Sequence, residues 1–179
     1  VDQGYLRIRS IEVTYLGPPY TSARITTQAK QSFKYGRIDI RAKVPYGPGI
    51  WPALWMLGDN FSTEGWPSCG EIDVMELIGG DGYNDRTVYG TGHWSNNGSH
   101  AEHSGDNSLT SGKYNDEFHV FSIVWDSGSI KWYRDDIQYH TLNISNLGAF
   151  KKKFFFILNI AVEGNWPGPV GPSTTFPQY

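Results

Sequence analysis

The segment Glu71-Ile72-Asp73-Val74-Met75-Glu76 places three carboxyl groups among three apolar side chains. In a regular strand, side chains alternate between the two faces. Glu71 and Asp73 therefore share a face, while Ile72 and Val74 point the other way, into a core. Glu76 lies an odd number of residues from Glu71, so an unbroken strand would turn it away. A single β-bulge near Met75 shifts the phase by one residue and returns all three acids to one face. Like charges this close repel, so a purely structural strand gains nothing from them. A retaining glycosidase needs two carboxyl groups about 5–5.5 Å apart. One attacks the anomeric carbon; the other protonates the leaving oxygen and then activates water. Four strand steps of about 3.3 Å set the end Cα atoms roughly 13 Å apart, and two glutamates leaning together close most of that gap. Asp73 between them would hydrogen-bond a neighbour and tune a coupled set of protons. Spacing alone leaves two other uses open: a solvated acidic face, and a divalent-cation site of alternating carboxylates.

The elements that would position these residues are β-strands. Tyr5 to Ile11 alternates apolar and polar residues, as a half-buried strand does. Ala23 to Thr27, Tyr35 to Lys43, Thr87 to His93, His119 to Trp125, Ser129 to Arg134 and Phe154 to Ala161 also read as strands. Gly- and Pro-rich joints separate them, at Gly17-Pro18-Pro19, Tyr46-Gly47-Pro48-Gly49, Gly79-Gly80-Asp81-Gly82 and Trp166-Pro167-Gly168-Pro169. Asp126-Ser127-Gly128 reads as a hairpin turn between strands carrying Trp125 and Trp132, whose rings are expected in the core. His119 is expected to be a satisfied structural imidazole. Ser95 to Gly112 is polar and poor in strand formers, and reads as a long surface loop. No helix longer than a turn or two is expected, and there is no internal repeat. Many short strands with frequent turns predict an antiparallel sandwich or barrel.

Composition narrows the partners. The chain has 179 residues, enough for one domain with one core. Its net charge of −3 gives no sign of a polyanion partner, since nucleic-acid binders usually concentrate Lys and Arg on one face. Lys151-Lys152-Lys153 precedes an apolar strand and reads as a solvated gatekeeper. Aromatic residues make up 15% of the chain, which suits either a core of large side chains or a groove for the apolar faces of sugars. A lone cysteine, Cys69, allows no intrachain disulfide, so redox compartment stays open. Val1-Asp2-Gln3-Gly4 carries no signal-peptide pattern, and no apolar run approaches the roughly 20 residues that span a bilayer. Asn-x-Ser matches at Asn60, Asn97 and Asn143 are common by chance.

The block Gly70-Glu71-Ile72-Asp73-Val74-Met75-Glu76 resembles the E-[IL]-D-x-x-E signature of glycoside hydrolase family 16, in its bulge-containing, laminarinase-like branch. Five further stretches match in order. They are Tyr20 to Ile25; Tyr35 to Pro45 with Gly49 to Gly58; Gly92-His93-Trp94; Phe118 to Trp125; and Asn159 to Gly168. The resemblance implies a β-jelly-roll sandwich of two curved antiparallel sheets with a concave substrate cleft. It implies Glu71 as nucleophile, Glu76 as acid/base and Asp73 as their helper. Trp51 and Trp55 match sugar-stacking tryptophans, His93 a histidine close to the acid/base, and Arg24 an arginine of the cleft. The bulged motif is typical of laminarinases, agarases and carrageenases, and the flanking blocks look most like endo-1,3-β-glucanases. The implied protein is a secreted, monomeric enzyme that cleaves β-1,3-glucan with retention. Its partner would be the polysaccharide, with no nucleic acid and no membrane. Three alternatives stay open: a non-catalytic carbohydrate-binding jelly roll, a family enzyme for mixed-linkage glucan or galactan, and a transglycosylase. No cofactor is needed for a double displacement, and no metal ligands are assigned. The family's usual structural calcium draws on terminal segments that this chain is expected to lack, since it appears short of the family's first and last strands. Glu163 departs from the family pattern by standing where glycine is common.

Overall fold

A computed structural model describes residues 4–13, 17–80 and 84–179. Twelve strands are formed among them. They are β1 Ser10–Glu12, β2 Tyr20–Ser22, β3 Arg24–Thr26, β4 Gly36–Ala42, β5 Ile50–Gly58, β6 Glu71–Glu76, β7 Thr87–Asn96, β8 Ser99–Ser108, β9 His119–Trp125, β10 Ser129–Arg134, β11 Ile137–Asn143 and β12 Phe154–Val162. The one α-helix among the described residues, Phe61–Glu64, is a single turn. A six-stranded sheet runs β3-β12-β5-β6-β7-β8, a four-stranded sheet runs β11-β10-β9-β4, and β1 pairs with β2. Every ladder between these strands is antiparallel.

The core lies between the two larger sheets. Leu54, Met56, Ile72, Val74, Met75 and Val88 from the six-stranded sheet meet Phe121, Ile123, Trp125, Ile130 and Trp132 from the four-stranded one. Trp125 and Trp132 are fully buried, as expected from their strand positions. Burying one such ring removes about 150–250 Å² from water. At about 25 cal/mol per Å², that is at most roughly 4–6 kcal/mol each. A smaller cluster of Leu57, Cys69, Phe155 and Ile157, with Trp55 against it, sits on the other face of the six-stranded sheet.

Most expected strands form within a residue or two of their sequence bounds. The Asp126-Ser127-Gly128 turn closes as expected, with Asp126 N donating to Ser129 O at 3.0 Å. Two expectations are corrected, and one matched stretch gains its element. The ladder anticipated over Tyr5 to Ile11 forms only at Ser10–Glu12, and Tyr5 and Leu6 are exposed, so the alternation there reflects no buried face. Within the matched stretch Gly49 to Gly58, Ile50–Gly58 is the long central strand β5 despite Pro52. The stretch 95–112 is no loop: Ser99–Ser108 pairs along β7 as the sheet's outer strand. A two-residue turn at Asn97-Gly98, both with positive φ, makes the β7–β8 hairpin. Asn-Gly is the strongest short hairpin signal, and the polarity of β8 is that of an edge strand facing water. The Gly79-Gly80-Asp81-Gly82 joint runs into residues 81–83, outside the described part.

Candidate active site

The bulge in β6 is present. On β7, Glu71, Asp73 and Glu76 stand opposite His93, Thr91 and Tyr89; on β5 they stand opposite Leu57, Trp55 and Ala53. Both partner series advance in steps of two, whereas the acids advance by two and then three. The extra residue therefore falls at Val74-Met75, and all three carboxylates share one face. Val74 and Met75 are both fully buried in the core behind. Trp132, from the opposite sheet, donates its indole N–H to the backbone carbonyl of Asp73 at 2.7 Å. Gly90 lies opposite the bulge between Tyr89 and Thr91, and a Cβ there would come within 2.3 Å of Trp132 Cδ1. Glycine at 90 is thus the residue that lets Trp132 reach Asp73.

The acid-bearing face carries a cavity of about 270 Å³. Arg24, Trp51, Trp55, Glu71, Asp73 and Glu76 are among its lining residues. Trp51 Nε1 donates to Glu76 Oε1 at 3.0 Å, and Trp55 Nε1 donates to Asn159 Oδ1 at 2.8 Å. The Arg24 guanidinium lies 5.0 Å from the Trp55 ring centre and draws the Glu71 carboxylate electrostatically. His93 Nε2 stands 3.0 Å from Asp73 Oδ2 and 3.8 Å from Glu71 Oε1. Six of the seven residues singled out from the sequence therefore line this cavity, and His93 stands beside two of them, Asp73 and Glu71. His119, expected to be structural, is buried and paired with Asp135 at 2.7 Å, away from it.

Residues that the sequence did not single out pack against those that line the cavity. Trp66 hydrogen-bonds the Glu71 side chain. Trp166 packs edge-on against Trp51 at 5.3 Å and against Tyr89 at 5.5 Å. Trp166 sits in a block already notable for its Asn-Trp-Pro-Gly sequence, so that block was the available signal. Trp66 is followed by Pro67 but has no periodic neighbour to mark its direction. Glu163 adopts φ +62, the left-handed region where glycine is least strained, which accounts for glycine being common there. Its carboxylate accepts a bond from Val170 N at 3.2 Å.

The profile of glycosyl hydrolases family 16 matches residues 3–173, nearly the whole chain. The chain belongs to that family. A beta-glucanase of Rhodothermus marinus is 37% identical over 182 residues, covering 96% of this chain and 63% of its own length. The clotting factor G alpha subunit of Tachypleus tridentatus is 40% identical over 173 residues, covering 94% of this chain and 25% of its own. The chain thus spans between a quarter and under two-thirds of these relatives' lengths. Among solved structures, the laminarinase catalytic domain of Thermotoga maritima superposes with a TM-score of 0.85 at 44% identity, covering 96% of this chain and 72% of that one. The two larger sheets are accordingly the family 16 β-jelly roll.

In this family 16 chain the three acids are held away from water. Burial is the first cause that pushes the Glu71 carboxyl up, opposed by His93 and Trp66. Asp73, 2% exposed, is raised well above the ordinary carboxyl range by burial and then by the Glu71 charge. Glu76, 7% exposed, is raised by burial and by Asp73, with the Trp51 hydrogen bond pulling the other way. Three neighbouring carboxyls with raised proton affinities titrate as a set, in which the Asp73 proton is shared toward Glu71.

This has a consequence for stability. A folded-state pKa above the unfolded value gives stability that is present below the unfolded carboxyl pKa of about 4 and lost as pH rises through the folded value. Asp73→Asn and Glu76→Gln remove that loss. The difference in Tm, variant minus wild type, should grow from pH 4 to pH 7; a difference that stays flat or falls would show that these carboxyls carry no such strain.

Two sets of possible metal ligands converge among the described residues: His93 with His100 and Glu102, and His93 with Glu71 and Asp73. Both include imidazole. A structural calcium takes oxygen ligands, so neither set fits that ion.

Proposed function

We propose that this chain is the catalytic domain of a retaining endo-1,3-β-glucanase. The observation that carries it is the common face of Glu71, Asp73 and Glu76, restored by the bulge and set in an aromatic-walled cavity. Glu71 attacks the anomeric carbon as the bond to the leaving oxygen breaks, and Glu76 gives that oxygen its proton. The product of the first step is a covalent ester between the sugar and Glu71. Glu76, now ionised, takes a proton from water; the water oxygen attacks the anomeric carbon, and the Glu71 carboxylate leaves. Burial raises the proton affinity of Glu76, the direction a general acid requires. Asp73 hydrogen-bonds the Glu71 carboxylate and makes it a better leaving group in the second step. His93 holds Asp73 in place. Trp51, Trp55 and Trp166 offer flat faces to the C–H surfaces of the glucan, and Arg24 stands ready for a hydroxyl.

The β-1,3 preference is supported by the bulged motif, and by relatives and solved structures named as β-glucanase and laminarinase. A polymer too large to cross a membrane is met outside the cell, so the domain is placed there. A second reading, glucan binding without cleavage, is favoured by the Tachypleus relative, whose name is that of a clotting factor subunit rather than a hydrolase. A panel of laminarin, mixed-linkage glucan, agarose and carrageenan tests both. Reducing ends should appear fastest from laminarin; binding to laminarin with no release would favour the second reading.

Trp51 links polymer binding to the acid. Trp51→Ala should raise KM for laminarin while leaving Tm nearly unchanged; loss of fold instead would make the ring part of the core. Trp51→Phe keeps a flat ring but removes the N–H that favours the Glu76 carboxylate. The alkaline limb of kcat against pH should then move upward. A downward move would mean that another group sets that limb.

A further inference from the structure

Beyond the carboxylates, the same sheet face continues onto β7 and β8 with an arrangement of which the proposed hydrolysis uses only His93. His93 and Glu102 are directly opposed across the β7–β8 ladder, and His100 is two residues further along β8 on the same face. Their ligand atoms converge. His93 Nδ1 lies 2.9 Å from His100 Nε2 and 3.3 Å from Glu102 Oε2, and the latter two are 3.6 Å apart. Tetrahedral zinc bound at about 2.0–2.2 Å by nitrogen and oxygen sets its ligand atoms roughly 3.3–3.5 Å apart. The triangle is therefore close to the one a metal would impose, and only the two imidazoles need part slightly. The second nitrogen of His93 lies 3.0 Å from Asp73 Oδ2, a buried carboxylate oxygen that makes no hydrogen bond, so a small turn of the metal-bound ring would let that N–H donate to it. The Trp66 ring packs on His100 at 4.8 Å and covers one side of the cluster. His100 and Glu102 are exposed, which leaves a fourth position open to water.

We propose that His93 Nδ1, His100 Nε2 and Glu102 Oε2 form a site for one divalent transition metal of the zinc class, and that its occupancy slows glucan hydrolysis. Two imidazoles and one carboxylate suit zinc or copper and do not suit calcium or magnesium. Binding displaces the proton shared between the two rings. The metal then stands one imidazole away from Asp73 and Glu71. Its charge stabilises the resting Glu71 carboxylate and makes that oxygen a poorer nucleophile, while the clamped ring can no longer turn. The inhibitory part rests on the proposed hydrolysis; the binding part does not.

The test uses the whole chain, stripped of metal with a chelator and then titrated with Zn²⁺ by calorimetry. One equivalent should bind, and Co²⁺ in its place should give the intense visible absorption of a tetrahedral centre. His100→Gln and Glu102→Gln should each weaken binding at least about a hundredfold, more than loss of a supporting residue would. Both variants should keep the metal-free rate on laminarin. Zn²⁺ should lower the wild-type rate several-fold and leave both variants untouched. No stoichiometric binding would overturn the proposal. So would binding undiminished in both variants, which would place the ion on Glu71, Asp73 and His93. Binding without inhibition would overturn the link to the reaction. If the chain proves not to cleave laminarin, the calorimetry and the cobalt spectrum still decide the site.

Discussion

Glu71→Ala and Glu76→Ala should each cut laminarin turnover to a trace, and azide should restore each in a different way. Loss of a positioned general acid costs about 10²–10⁴-fold, and loss of the nucleophile at least as much. The two variants separate on an aryl laminaribioside, whose phenol departs without a proton. Glu76→Ala should still form the ester with Glu71; azide then displaces Glu71 and gives a β-glycosyl azide. Glu71→Ala has space where the carboxylate stood, so azide attacks directly from that side and gives an α-glycosyl azide. Two products of opposite configuration from two single substitutions would assign both roles at once. The same azide anomer from both, or rescue of neither, would remove the assignment. Asp73→Asn belongs to the same set with a smaller effect, because its role passes through Glu71.

The second large effect is expected at the bulge, away from the sugar. Trp132→Phe keeps most of the ring but withdraws the buried N–H from the Asp73 carbonyl. Losing such a bond costs about 1–3 kcal/mol. The carbonyl belongs to the residue where the ladder shifts register, so the spacing of Glu71 and Glu76 loosens with it. Misplacing reacting groups by about 1 Å can lower turnover on the order of 10²-fold. Gly90→Ala reaches the same point by another route, since its Cβ meets Trp132 Cδ1 at 2.3 Å. Both act through one indole, so the double variant should lose less stability and less kcat than the two single losses added together. Circular dichroism melts and laminarin kinetics on the four proteins measure this. Strict additivity would mean that Gly90 and Trp132 support the site independently.

The site was more legible in the sequence than the sheet edge beside it. Strand parity alone demanded a bulge near Met75 if Glu71 and Glu76 were to act together, and the register shows it at Val74-Met75. Parity is legible because one face of β6 is wholly apolar. β8 offered no such contrast. Its outward residues and its cleft-side residues are both polar, so alternation carries no signal, and only the Asn97-Gly98 turn marked it. Tyr5 to Ile11 failed in the opposite sense, with an alternating pattern of which only Ser10 and Ile11 join a sheet, the two-stranded β1-β2 pair. Trp66 and Trp166 were hidden because composition cannot tell a ring in a core from a ring on a cleft wall. Trp125 and Trp132 went into the core and these two did not, a difference set by tertiary placement.

The most direct test of the account is the configuration of the first product from laminarin, followed by proton NMR in the first minutes of the reaction. Attack by Glu71 on one face of the anomeric carbon, then by water on the opposite face that the leaving oxygen vacated, predicts that the new reducing end appears as the β anomer, with the α anomer growing in later by mutarotation. An α anomer appearing first would contradict the double displacement and the roles given to Glu71 and Glu76.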